Sequence, residues 1–96
     1  MYVGYRVAKS KNGYHVLIYY YRLDGWLYFS GILKNGREFL SIGLARRYAE
    51  KYFHHFMSQN KNYIFVGEMQ PCLGRLSRST LEQYATLCNN RIARTS

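Results

Sequence analysis

Ninety-six residues, 48% apolar and 18% aromatic, fit one globular domain and exclude a disordered chain, which would be poor in aromatics. Fourteen Lys and Arg against five Asp and Glu give a net charge of +9 at pH 7, which points to anionic partners and excludes an acidic mimic of nucleic acid. No apolar run reaches the roughly 18 residues of a membrane span, and two cysteines are too few for a disulfide framework. The expectation is a cytoplasmic protein without leader or membrane segment, with Cys72 and Cys88 reduced and buried.

Three turn signals divide the first half: Asn12-Gly13, Asp24-Gly25 and Asn35-Gly36. Such pairs suit two-residue type I′ turns, which need positive φ at both central positions. The runs between them, 2–10, 14–22, 26–34 and 37–40, are rich in Tyr, Val, Ile, Leu and Phe. They read as an antiparallel meander of four strands over 1–40. Two-residue loops set Lys9 opposite Val16, Tyr20 opposite Phe29 and Gly31 opposite Leu40. Alternation then assigns two faces. Val3, Tyr5, Val7, Val16, Ile18, Tyr20, Leu27, Phe29, Leu33 and Leu40 make an apolar core face. Arg6, His15, Leu17, Tyr19, Tyr21, Trp26, Tyr28, Ile32, Lys34, Arg37 and Phe39 make a face that mixes rings with cations.

The period then changes. Ser41 is a plausible N-cap, and Ala45, Tyr48, Ala49, Tyr52, Phe53 and Phe56 form a helical stripe within 41–59. A β-prone run at 63–67 reads as a fifth strand, followed by an irregular connection with Pro71 and Gly74. Ser79 and Glu82 have capping-box spacing for a second helix over 79–94, with Leu81, Tyr84, Ala85, Cys88 and Ile92 as its stripe and Arg91 and Arg94 at its C-terminal end. The expected fold is a single α+β domain in the order ββββαβα. Both helices could cover the apolar face, or one could cover each face.

Catalytic chemistry finds little footing. Asp24, the sole aspartate, is explained by its turn, and Glu38, Glu50, Glu68 and Glu82 are scattered. No nucleophile elbow, phosphate loop or His-Glu-x-x-His motif is present. His54 and His55 are adjacent, so on a helix they diverge by about 100° and cannot grip one metal. The expectation is a non-enzyme with no metal, cofactor or small-molecule substrate.

The mixed face offers more. Tyr19, Tyr21, Trp26 and Tyr28 could stack on bases while Arg6, Lys34 and Arg37 meet phosphates. The same residue types mark protein–protein hot spots. The competing structural reading is a second small core under a helix. If that face is open, alanine at Tyr21 and Trp26 should spare the fold. Arg46, Arg47, Lys51, Arg75 and Arg78 could form a second basic patch if the connection folds against the first helix. Expected partners are nucleic acid or a protein complex that handles it. In the second case the chain would be a phage or mobile-element accessory protein that modulates a host nuclease, helicase or CRISPR-type complex.

In plan, residues 4–56, with Phe39-Leu40-Ser41 leading into Ala45 and Ala49, resemble the small DNA-binding domains at the start of many phage integrases and in the plant AP2 family. The likeness implies a three-stranded sheet laid into a major groove. It covers the first half only; the fourth strand and the C-terminal helix depart from it.

Overall fold

A computed structural model describes residues 1–70 and 74–95, with side chains at all of these except 34, 35 and 89–95. Cys72 and the side chains of Lys34, Arg91, Ile92 and Arg94 therefore lie outside the described residues. The elements are β1 (Tyr2–Lys9), β2 (Tyr14–Tyr21), β3 (Leu27–Ile32), a 3-10 turn (Leu33–Gly36), α1 (Ile42–Gln59), β4 (Ile64–Glu68) and α2 (Arg78–Thr95). The α+β class and both helices stand. The four-stranded sheet runs β3-β2-β1-β4 and is mixed, because β4 lies parallel to β1. The run at 63–67 is thus the fourth strand, and no fifth is formed among the described residues.

The parallel strand follows from connectivity. β3 and β4 run the same way, and parallel strands need a crossover, usually a helix. α1 supplies it and lies on one sheet face. The chain leaving β4 then carries α2 onto the other. Alternation splits the core accordingly. Val3, Tyr5, Val16 and Ile18 pack with Ala45, Ala49 and Phe53 of α1. Tyr2, Tyr19, Tyr21, Val66 and Met69 pack with Leu81 and Ala85 of α2. Under α1 the Phe53 ring stacks on Tyr5 at 5.6 Å and on Phe65 at 4.9 Å. Gly4 allows the second core to close: a Cβ there would stand 2.6 Å from Val66 Cγ2 and 2.8 Å from Met69 Sδ.

The turns differ from expectation, each for a tertiary reason. The first hairpin pairs Lys9 with Tyr14 through a 10–13 loop, a slip of two residues. Glu38 holds that loop: its carboxylate accepts from Ser10 Oγ and from the Asn12 N–H, each at 2.7 Å. A slip of two keeps every side chain on its face, so the β1 and β2 faces are as expected. In the second hairpin Gly25 N–H bonds to the Arg22 carbonyl and Arg22 N–H to the Trp26 carbonyl, each at 2.8 Å, with Gly25 at φ +94. This is a three-residue loop with a glycine bulge. The extra loop residue sets Leu27 opposite Tyr21 and so turns it to the α2 side, and a second bulge at Tyr28 restores the pairing of Tyr20 with Phe29. At Asn35-Gly36 no hairpin forms. The 3-10 turn redirects the chain, and Phe39 pairs with Tyr14 through bonds of 2.9 and 2.8 Å. Phe39 packs on Tyr48 in the α1 core, while Leu40, expected in the core, is exposed.

The helix caps follow the same logic. Ser41 caps α1 through a 3.2 Å bond from Leu44 N–H. In α2 the cap is Ser77, whose Oγ accepts from Thr80 N–H at 3.2 Å, and not Ser79. Glu82 bonds Arg78 at 3.1 Å instead of reaching back to the cap.

Glu38 also predicts a pH effect. The Ser10 hydroxyl, then the Asn12 amide, hold its carboxyl below the ordinary value, with His15 adding a smaller pull. A depressed carboxylate stabilises above its unfolded pKa and loses that contribution as pH falls through its folded pKa. The 10–13 loop should therefore loosen only below the usual glutamate range. The amide shift of Asn12, followed by NMR, checks this. A midpoint at or above the ordinary glutamate value, or a transition that survives in Glu38→Gln, would contradict the brace.

Candidate nucleic-acid interface

The expected sheet platform is divided by α2. Tyr19 and Tyr21 are 5% and 0% exposed, among the core residues beneath that helix. They present no open stacking surface, which corrects their placement on a binding face. The cause is the parallel crossover, which leaves one helix for each face. The groove-laying geometry implied by the integrase and AP2 likeness would need a sheet face that α2 here occupies.

The other expected residues are dispersed. Arg6 is exposed in a cross-strand row with Leu17 and Ile32 on the α2 side. Arg37 lies over the Phe39 ring at 5.1 Å, against the α1 core, and its carbonyl contacts His15 Nδ1 at 3.2 Å. The sheet separates these two cations. Lys34 lies outside the described side chains.

The second patch does not assemble either. Arg46 makes a bidentate contact with Glu68, at 2.8 and 3.2 Å, and so ties α1 to β4. That contact raises the Arg46 pKa further. Arg47 and Lys51 are exposed on α1, while Arg78 is paired at the start of α2. The two helices lie on opposite sheet faces, so these cations cannot meet.

What the fold does join is one residue of each predicted set. The connection before α2 runs beside the start of β3 and bridges Trp26 to Arg75. Leu27 N–H donates to the Gly74 carbonyl at 3.0 Å, and Leu76 N–H to the Gly25 carbonyl at 2.9 Å. Arg75 Nε donates to the Asp24 carbonyl at 3.0 Å. Leu27 points to the α2 core, so its neighbour Trp26 points to the opposite side, and Arg22 and Arg75, its pairing partners, point with it. The result is a row Arg22–Trp26–Arg75. Arg22 is braced by Asp24 at 3.2 Å, and the Asp24 carboxylate also accepts from Trp26 N–H at 3.1 Å. Trp26, Tyr28 and Phe29 are 52%, 68% and 52% exposed. Three rings and two guanidinium groups therefore share the hairpin end of the β3 edge.

Sequence reading missed Arg22 and Phe29 here. Arg22 adjoins the Asp24-Gly25 turn, which was the available signal. Alternation puts Phe29 in the core with its partner Tyr20, and the two rings do meet, at 5.9 Å. On an edge strand the outer half of such a ring stays open.

Among the described residues no three His, Cys, Asp or Glu side chains gather to hold a metal ion. No helix there is long and apolar enough to cross a membrane. No protein-family model, curated protein or solved structure matches this chain.

Proposed function

We propose that this chain is a small non-enzymatic protein that acts at nucleic acid, holding unpaired strands on the Arg22–Trp26–Arg75 row. One observation carries the reading: the Trp26–Arg75 bridge sets a half-exposed indole between two arginines in a chain of net charge +9. Rings that stack on bases beside cations that meet phosphates are the parts a single-strand surface needs. A narrow edge suits an unpaired strand better than a duplex groove, which takes a whole helix or ribbon.

Trp26 is the sole tryptophan, so its emission reports on the site directly. Titration with a short single-stranded oligonucleotide at about 50 mM salt should quench it, and binding should weaken by about 0.7 log units per phosphate for each tenfold rise in salt. Duplex DNA of equal length should bind more weakly and quench less. No quench and no binding at low salt would sink the proposal.

A second reading is a protein partner, and the apolar exposure of Leu23, Phe29 and Ile32 beyond the arginines favours it. The partner would be a nuclease, helicase or CRISPR-type complex whose activity the chain modulates. An aromatic-centred protein interface should show a much flatter salt dependence.

A further inference from the structure

Among the described residues, β3 pairs on one side only beyond Leu27. Along β2 the even-numbered residues bond toward β3 and Phe39, as Arg22 with Trp26 and Tyr14 with Phe39 require. Phe29 and Gly31, opposite Tyr20 and Ile18, therefore bond inward. Ser30 turns its N–H and C=O groups outward, and Ile32 its N–H. The open slot is bounded at one end by the 74–76 segment, which occupies the edge as far as Leu27. At the other end the 3-10 turn begins at Leu33. Residues 26–33 carry no charge at all in a strongly basic chain. Edge strands are usually protected by lysine, proline or a cover. The stretch 28–32 has no lysine or proline, and none of the described residues pairs with its outer side.

We propose that this slot is filled by the same slot of a second copy, so that two sheets join as one across antiparallel β3 strands. The strand is complementary to itself about Ser30. With Ser30 opposite its own copy, the outward backbone groups meet as a hydrogen-bonded pair. Phe29 then faces the partner's Gly31 in the close, non-hydrogen-bonded position, where a ring can cover a bare glycine. Phe29 already leans over Gly31 within its own strand: a Cβ there would stand 3.1 Å from Phe29 Cε1. Tyr28 faces the partner's Ile32, an aromatic–β-branched pair of the kind that stabilises sheets. The neutral strip lets two chains of +9 approach where neither presents charge. Pairing extends the sheet sideways and leaves the Trp26 row open on its face, so the inference goes beyond the proposed function and does not depend on it.

The test is sedimentation equilibrium over about 5 to 500 µM, a range that drives weak self-association. The mass should rise from the 11.4 kDa of one chain toward twice that value. Added salt should strengthen the dimer by screening the charge on each copy, the reverse of its effect on nucleic-acid binding. Ser30→Pro removes only an outward N–H and should weaken the dimer about tenfold or more, the loss expected for two hydrogen bonds. Ile32→Lys should do the same without touching the backbone, and serves if the proline variant misfolds. A chain that stays monomeric at every concentration and salt overturns the proposal and leaves the edge to a strand from another protein. A dimer that persists in a folded Ser30→Pro or Ile32→Lys variant overturns it as well.

Discussion

Tyr21→Ala should lower the unfolding free energy by about 3–5 kcal/mol, the range for deleting a large buried ring. Trp26→Ala should change it by about 0.5 kcal/mol at most, as exposed substitutions do. The two residues lie five positions apart in one hairpin and were expected on one open face. Their fates differ because Tyr21 is fully buried between β2 and α2, whereas Trp26 lies on the opposite side at the edge. A domain of this size has only about 5–15 kcal/mol to lose, so Tyr21→Ala should bring it near unfolding at 37 °C. Urea unfolding followed by far-UV circular dichroism measures both variants. Equal stability of the two would mean that α2 does not seal that face. Alanine at Tyr21 and Trp26 together spares the fold only if that face is open, so the loss in Tyr21→Ala alone is the test that α2 covers it.

The same contrast shows what the sequence made legible. Helix existence was clear, because Ala45, Ala49 and Phe53 recur at helical spacing and do form the buried face of α1. The side assignment of β1 and β2 was clear too, since it depends on parity and survived a two-residue slip. Parity failed at Leu27, because the loop after Arg22 holds three residues and not two, and it returns at Phe29 only through a bulge at Tyr28 that no local signal announces. The turns at Asn12-Gly13 and Asn35-Gly36 were misread for a common reason. Their glycines suit type I′ turns, but Glu38 and Phe39 make long-range contacts with the first loop and with Tyr14 that outweigh local preference. The coverage of each face was open, because it depends on where β4 joins the sheet. The Trp26–Arg75 pairing could not be read at all. It joins residues from opposite ends of the chain through backbone bonds that carry no side-chain signature.

That pairing can be broken at one atom. Gly25→Ala should separate Arg75 from Trp26 and reduce single-strand affinity to the level of Arg75→Ala, although residue 25 contributes no side chain to the surface. Two effects add. Gly25 sits at φ +94, where a Cβ costs about 1–3 kcal/mol. A Cβ there would also collide with the Leu76 carbonyl, which is backbone and cannot rotate aside. The 74–76 segment must retreat, and with it go the Leu27–Gly74 and Leu76–Gly25 bonds and the Arg75 contact to Asp24. Gly74→Ala is the control, because a Cβ at that position meets nothing within 4 Å. Trp26 quenching by a single-stranded oligonucleotide gives the affinity, and thermal unfolding gives the stability. Loss of both in Gly25→Ala, with Gly74→Ala unchanged, would tie binding to the bridged row. Lower stability with affinity intact would mean that Arg22 and Trp26 hold the strand without Arg75, or that it binds elsewhere. The Arg75→Ala variant, which leaves the backbone bridge in place, then separates these outcomes: if it also binds normally while Trp26→Ala, which has no tryptophan and is followed by the anisotropy of a dye-labelled oligonucleotide, does not, Arg75 is excluded and the row is reduced to its first two members.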